Sequence, residues 1–237
     1  MKSQPLYMNI YDDILFKIKN GIFSENSPLP SERELGLNYN VSRSTVRKAL
    51  NTLQNNGFIY KIQGQGTFIK PQVFEQPLYN FYSFTDELKK DDITIRNSIL
   101  SYEQFQLDSS LSSKLNKPKG EIFHKIVRLR SAKNYPLMIE ITYLPKNRFF
   151  NISTDILEEK SLYSYLSSKY SLSVDKAAET FRPIIPNSEE CSLLKISSKI
   201  PCILLERFSY EENELVEYTQ SIVRGDKYVF KVNLSTY

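Results

Sequence analysis

Between Glu34 and Glu75 the chain has no acidic residue, yet Arg43, Arg47, Lys48, Lys61 and Lys70 lie there. At the centre of this stretch stands "SRSTVRKAL", residues 42–50, with three cations and three hydroxyls in nine positions. Its apolar residues Val46, Ala49 and Leu50, continued by Leu53, fall at i, i+3, i+4 and i+7, the spacing of one helical face. Arg43 and Arg47 are four apart and so share another face, with Ser44 and Lys48 beside them. A helix of this kind buries one side against a small core and holds the other out toward an anion.

The flanking sequence builds that core. Residues 6–20, "LYMNIYDDILFKIKN", carry Leu6, Ile10, Ile14 and Ile18 with Tyr7, Tyr11 and Leu15, a helical stripe that Gly21 ends. After the loop "FSENSPLP", Ser31 with Glu34 three residues on predicts a capping box and a second helix to about Asn40. Val41 interrupts it, and Ser42 caps the third helix, which ends near Gly57. Two strands follow, "FIYKI" and "GTFIK", with "QGQ" at their turn. The predicted order is helix, helix, turn, helix, hairpin.

Charge sets this module apart. Residues 1–70 hold nine Lys/Arg and five Asp/Glu, so the whole formal charge of +4 resides there and the remainder is neutral. A neutral body with one basic module points to a polyanionic partner; a solvated basic face is the competing reading. The 237 residues suit two domains, and 41% hydrophobic with 24% charged residues is an ordinary globular composition. No run of 18 apolar residues spans a membrane, and "MKSQPLYMNIYDD" lacks the apolar core of a signal peptide. Cys191 and Cys202 have no metal-ligand spacing, so a reduced, cytoplasmic protein without metal or cofactor is expected.

Residues 71–82 read as a linker and "SFTDELKK" as a short helix. Beyond it strands dominate: "ITIRNSILSYEQFQL", "IFHKIVRLRSA", "PLMIEITYL", "AAETFRPII", "CILLERFSY", "LVEYTQSIV" and "KYVFKVNL". Helices are expected at 109–116, 161–169 and 187–195. This pattern predicts an α+β domain around an antiparallel sheet over residues 83–237.

Helix, turn, helix and hairpin in an acid-free segment are what a recognition helix with a wing requires. Arg contacts guanine O6 and N7 bidentately in the major groove, and hydroxyls with a helix N-terminus suit phosphates. Gly64 and Gly66 let the wing backbone approach DNA closely, with Lys61 adding charge.

The stretch "LPSEREL…VSRSTVRKALNTLQNNGFIYKIQGQGTFI" resembles the winged helix-turn-helix of GntR-type bacterial transcription regulators. Segments "LYNFYSFTDELKK", "KIVRLRSA", "PLMIEITYLP", "KSLYSYL" and "ELVEYTQSIVRGDKYVF" resemble the UTRA effector domain of the HutC subfamily, with its chorismate-lyase-like fold. The nearest look is to the branch that senses amino-sugar phosphates. The resemblance implies a winged helix-turn-helix over 1–70 and a ligand-binding, dimerising UTRA domain over 83–237. It implies DNA contacts at Arg33 and Arg43, minor-groove approach by Gly64, and phosphate contacts by Thr45, Arg47 and Thr67. Ser44, Lys48 and Gly66 complete the expected DNA face, and Gln65 stands where relatives often carry a cation.

Arg128 and Arg130 are two apart on a predicted strand, so both point to one face, roughly 6–7 Å apart. Two guanidiniums there suit a phosphate or carboxylate, against the bland reading of two solvated arginines. The resemblance matches them to a phosphate-binding pair. It matches Thr85, Ser161 and Tyr163 to their hydroxyl and amide partners, and Glu140 and Glu217 to acids that hold sugar hydroxyls. In isolation each Glu reads as a surface charge or an ion-pair partner. Val223 stands where amino-sugar sensors tend to carry Tyr.

The expected function is a ligand-responsive repressor that binds a palindromic DNA operator as a homodimer and is released by a phosphorylated sugar. A non-sugar acidic effector, a lyase-like enzyme and an architectural DNA binder are the rivals. His124, the one histidine, has no partner pattern for nucleophilic catalysis and is expected to be structural.

Overall fold

The structure is a computed structural model, and it describes residues 4–71, 73–78, 95–132 and 135–234. The chain divides into two compact units, Met1–Gln72 and Val73–Tyr237.

In the first unit, helices α1 (Leu6–Lys19), α2 (Glu32–Asn38) and α3 (Arg43–Asn55) precede an antiparallel hairpin of β1 (Ile59–Ile62) and β2 (Gly66–Ile69). The apolar stripes read from the sequence meet in one core. Ile10, Ile14 and Ile18 from α1 pack with Val46, Ala49, Leu50 and Leu53 from α3, closed by Leu35, Ile59 and Ile69. Burying a side chain of this size stabilises by about 1.5–3 kcal/mol. Ser31 forms the capping box, its Oγ accepting from Glu34 N while the Glu34 carboxylate accepts from Ser31 N. Ser42 caps α3, accepting from Thr45 N. The turn between α2 and α3 runs through Asn40 in the left-handed region and passes so close to Gly36 that a Cβ there would lie 3.2 Å from the Val41 carbonyl oxygen.

The second unit is built on a six-stranded antiparallel sheet. Its strands are β4 (Ile95–Gln106), β5 (Ile122–Ala132), β6 (Tyr135–Pro145), β7 (Lys176–Ile184), β8 (Cys202–Glu211) and β9 (Glu214–Arg224), in the order β4-β5-β6-β9-β8-β7. Helices α4 (Ser109–Leu115), α5 (Thr154–Glu159), α6 (Leu162–Tyr170) and α7 (Ser188–Leu194) fall between the strands. Hydrophobic clusters line both sheet faces. Ile126 and Val216 pack with α6 through Leu162, Tyr165 and Leu166; Ile139 and Ile222 pack with Leu194 of α7.

Two elements depart from the expected layout. Residues 71–82 read as a linker, but Phe74–Pro77 forms β3, which pairs in parallel with β10 (Tyr228–Lys231). This small sheet is held by the buried Gln76, whose Oε1 accepts from Tyr228 OH at 2.9 Å. The segment has no alternation long enough to signal a strand, and its partner lies some 150 residues away. Helix α5 was also unexpected. The helix expected at "SFTDELKK" lies outside the described residues, as does Thr85. Among the described residues no helix is long and apolar enough to cross a membrane.

Candidate functional site

The first unit presents one polar face at the N-terminal end of α3. Arg33 on α2 and Arg43 and Ser44 on α3 are exposed. Ser42 Oγ lies 2.8 Å from Ser44 Oγ and 2.9 Å from Thr45 Oγ1, so three hydroxyls cluster where the α3 backbone N–H groups point outward, an arrangement suited to an anion. The wing turn follows. Gly64 sits at φ +78° and Gly66 at φ +123°, with the turn closed by Gln65 N donating to Ile62 O at 3.0 Å. Gly64, Gln65 and Gly66 are exposed and Thr67 is half-buried. A side chain at either glycine would be strained by its φ.

Three expected cations are engaged within the unit. Arg47 donates from Nε to both Glu32 carboxylate oxygens, at 3.2 and 3.1 Å, and from Nη2 at 2.8 Å. This fork holds the Glu32 carboxyl below its usual range. Lys48 stands 4.1 Å above the Tyr7 ring of α1. Lys61 donates to Asn51 Oδ1 at 3.2 Å. Arg33, Arg43, Ser44 and the wing turn Gly64–Gly66 remain exposed at the surface.

In the second unit, one cavity collects most of the remaining predicted residues. Arg128 and Arg130 of β5, Met138 and Glu140 of β6, Leu205 and Arg207 of β8, and Glu217, Thr219 and Ser221 of β9 line it from the sheet. Leu162 and Tyr163 of α6 and Tyr228 and Phe230 of β10 line it from above. The cavity is small, about 40 Å³, room for a few water molecules.

Register explains the assembly. Arg128 is paired directly across from Glu140, Glu140 from Ser221, and Ser221 from Leu205. Paired residues share a face, so strands remote in sequence deliver their polar groups to one side. Arg128 and Arg130 both reach Glu140. Arg128 Nη2 donates to Glu140 Oε1, Arg130 Nη1 donates to Oε2 at 2.8 Å, and Arg130 Nε donates to Asn97 Oδ1 at 3.1 Å. Burial alone would push the Glu140 carboxyl up, but the two guanidiniums outweigh it and hold its pKa at about 2. Arg128 is 1% exposed, and its Nε and Nη1 are buried with no hydrogen-bond partner among the described residues. An orphaned buried donor costs about 1–3 kcal/mol, and more on a charged group.

A second group faces the same cavity. The Glu217 carboxylate accepts from Tyr163 OH, from Ser209 Oγ at 2.7 Å and from Thr219 Oγ1 at 2.5 Å. Arg207 Nη1 donates to Tyr163 OH at 3.2 Å, and Arg207 Nε to Glu179 Oε1 at 2.6 Å. Burial, and then the neighbouring Glu217 charge, push the Tyr163 phenol well above its usual range, so it donates as a neutral hydroxyl. The cavity therefore combines cations able to hold an anion with carboxylate and hydroxyl groups able to exchange hydrogen bonds with a polyol.

Of the predicted effector residues, Arg128, Arg130, Glu140, Tyr163 and Glu217 meet in this cavity. Ser161 does not line it. Its Oγ accepts from Ser164 N at 3.2 Å and so starts the helix that carries Tyr163 there. Val223 is buried with Met138, Leu205 and Tyr228. Arg207, Ser209, Thr219 and Ser221 were not anticipated; the alternation of "LLERFSY" put Arg207 and Ser209 on one face, without saying which face held a cavity. His124 is buried, its Nε2–H donating to Phe149 O at 2.6 Å while Nδ1 faces Tyr102 OH at 3.0 Å. Burial holds its pKa below the usual range, and both nitrogens serve the packing.

Comparison with known proteins covers both units. Residues 6–69 match the family model described as bacterial regulatory proteins, gntR family, and residues 92–229 match the UTRA domain. The HTH-type transcriptional repressor NagR of Bacillus subtilis (strain 168) is 32% identical over 230 residues, covering 95% of this chain and 93% of that protein. The mannosyl-D-glycerate transport/metabolism system repressor MngR of Escherichia coli (strain K12) is 28% identical over 97% of this chain and 96% of its own. The crystal structure of PhnF from Mycobacterium smegmatis superposes with a TM-score of 0.71 at 23% identity, over 96% of this chain and all of that one, a likeness of fold.

Proposed function

Because the chain belongs to the GntR family of bacterial transcription regulators and carries a UTRA domain, we propose that it represses an operon of sugar utilisation and is released from DNA by a phosphorylated sugar. It is a regulator and not an enzyme. Relatives named for mannosyl-D-glycerate metabolism and for fructoselysine utilisation support an effector derived from a sugar.

The observation that carries the effector reading is the buried Arg128, with two guanidinium nitrogens unpartnered among the described residues, in a cavity that also holds Arg130 and the hydroxyl-rich Glu217 group. A phosphate would take the guanidiniums, and Glu217, Tyr163 and Thr219 would exchange hydrogen bonds with sugar hydroxyls. On the DNA side, Arg43 reads a base edge in the major groove, Arg33 and the α3 hydroxyls take phosphates, and the Gly64 turn enters the minor groove. A homodimer matches a palindromic operator, since two-fold proteins match two-fold sites. The DNA-binding domain spans about residues 1–70, and the effector domain takes in β3 and so begins at about residue 73.

The test is an operator titration by fluorescence anisotropy, with DNA from upstream of the gene, with and without a panel of hexose phosphates. Arg128→Gln combined with Glu140→Gln removes one cation and one anion together, so the Arg128–Glu140–Arg130 trio keeps its net charge. This variant binds operator as wild type does and ignores the phosphosugar. A wild-type curve that no phosphosugar shifts, or a variant that still responds fully, overturns the reading.

A further inference from the structure

We infer that Glu140 is a built-in counter-anion that competes with the effector's anionic group for Arg128 and Arg130, and so sets how strong an anion the pocket admits. The inference rests on the effector pocket proposed above and concerns its regulation.

The geometry is that of an occupied clamp. The two oxygens of one carboxylate are divided between two guanidiniums, Oε1 on Arg128 and Oε2 on Arg130. This is the bridging contact that two oxygens of a phosphate would make. Both arginines and Glu140 are buried. The direct pairing of Arg128 with Glu140 in the sheet holds the carboxylate at the clamp through the backbone. Yet the clamp is unsaturated, because Arg128 keeps two buried nitrogens without partners among the described residues. One carboxylate cannot supply acceptors for all the donors that two guanidiniums present. The cavity beside them, about 40 Å³, is well below the roughly 300 Å³ low end of ordinary ligand pockets. An anion larger than a few waters enters by moving this ion pair apart.

Binding is therefore an exchange of anions. The entering group must offer more charge or more acceptor oxygens than Glu140. A phosphate dianion does both, with three oxygens and two charges; a carboxylate does neither, and merely replaces one carboxylate with another. Glu140 thus acts as a specificity-determining residue in favour of dianions. A role limited to holding a sugar hydroxyl forecasts no gain for a ligand with no sugar.

That difference decides the test. Inorganic phosphate, which has no hydroxyl for Glu140 to hold beyond its own, is titrated by calorimetry against wild type and Glu140→Gln at fixed ionic strength. A hexose 6-phosphate is titrated in parallel. Loss of the internal competitor tightens inorganic phosphate by about tenfold or more, the scale of coupling between close buried charges. The gain disappears in Arg128→Gln/Glu140→Gln, which places the anion in this pocket and not on the DNA-binding face. Glu140→Gln removes the carboxylate that the two guanidiniums share and lowers the melting temperature; added phosphate recovers more of it in the variant than in wild type. If Glu140→Gln does not fold, Glu140→Asp carries the test: its shorter side chain withdraws the carboxylate from the clamp while keeping the charge, and phosphate again binds tighter than in wild type. If wild type binds the hexose phosphate and the variants bind inorganic phosphate no tighter, the counter-anion idea fails and the effector reading stands. If no protein binds either ligand, both fail.

Discussion

The cations of the two units serve in opposite ways. Arg43 and Arg33 stand in solvent near the end of α3, while Arg128 and Arg130 are 1% and 4% exposed and share a carboxylate. A solvated arginine is ready for a phosphate, because little water must be stripped from it and nothing must be displaced. A buried one has already left water, so any new anion enters in exchange for an existing partner. The first arrangement favours fast, salt-sensitive binding to a long polyanion. The second favours discrimination between small anions.

The sharpest way to break this contrast is to remove one cation from each unit. Arg128→Ala strips Glu140 of a partner inside the protein and costs about 3–5 kcal/mol of stability. Arg43→Ala removes an exposed side chain and stays within about 0.5 kcal/mol of wild type. Urea unfolding of both variants checks this, and equal losses would erase the distinction between the two kinds of arginine.

Acid probes the same ion pair. Glu140 has a folded pKa of about 2 against an ordinary 4.5. A depressed carboxylate contributes stability that is full above its unfolded pKa and is lost as pH falls through the folded one. Wild type should therefore lose its advantage over Glu140→Gln between about pH 4.5 and pH 2. Circular-dichroism melts across that window measure it; an advantage that persists unchanged to pH 2 contradicts the pairing.

For DNA the order of importance reverses. Arg43→Ala costs about 1–3 kcal/mol of operator affinity and relaxes preference at one base pair per half-site. The charge-balanced pocket variant leaves that affinity unchanged. The smallest effect concerns Glu32, whose ion pair with Arg47 is largely exposed on the Arg side. Glu32→Gln changes stability by less than about 1 kcal/mol, releases Arg47 toward the phosphates, and strengthens non-specific DNA binding at low salt. Arg47→Ala instead lowers the salt slope by about 1. Anisotropy titrations over a salt series separate the two.

The sequence carried the first unit further than the second. Ser31 with Glu34, Ser42, and the stripes of α1 and α3 are signals between residues three or four apart, and the structure places each where its spacing predicts. In the second unit the alternation located the six main strands and β10, and the helices at 109–116, 161–169 and 187–195 appear as α4, α6 and α7. The strand β3 escaped notice, because four residues beside prolines gain their strand character only from β10. Arg207 escaped because an arginine alternating with apolar residues looks the same over a cavity as over solvent.

Sequence by itself determined the elements, the basic module and the pairing of Arg128 with Arg130 on one face, because helical caps, helical stripes and strand alternation act over a few residues of chain. Only the tertiary structure decided the strand order β4-β5-β6-β9-β8-β7, the placing of Arg207 and Glu217 in one cavity, and the seating of Glu140 on two arginines. Those facts depend on which strands pair and in what register. The register is settled by packing both sheet faces at once, and burial then turns a glutamate that could have been a surface charge into a counter-ion.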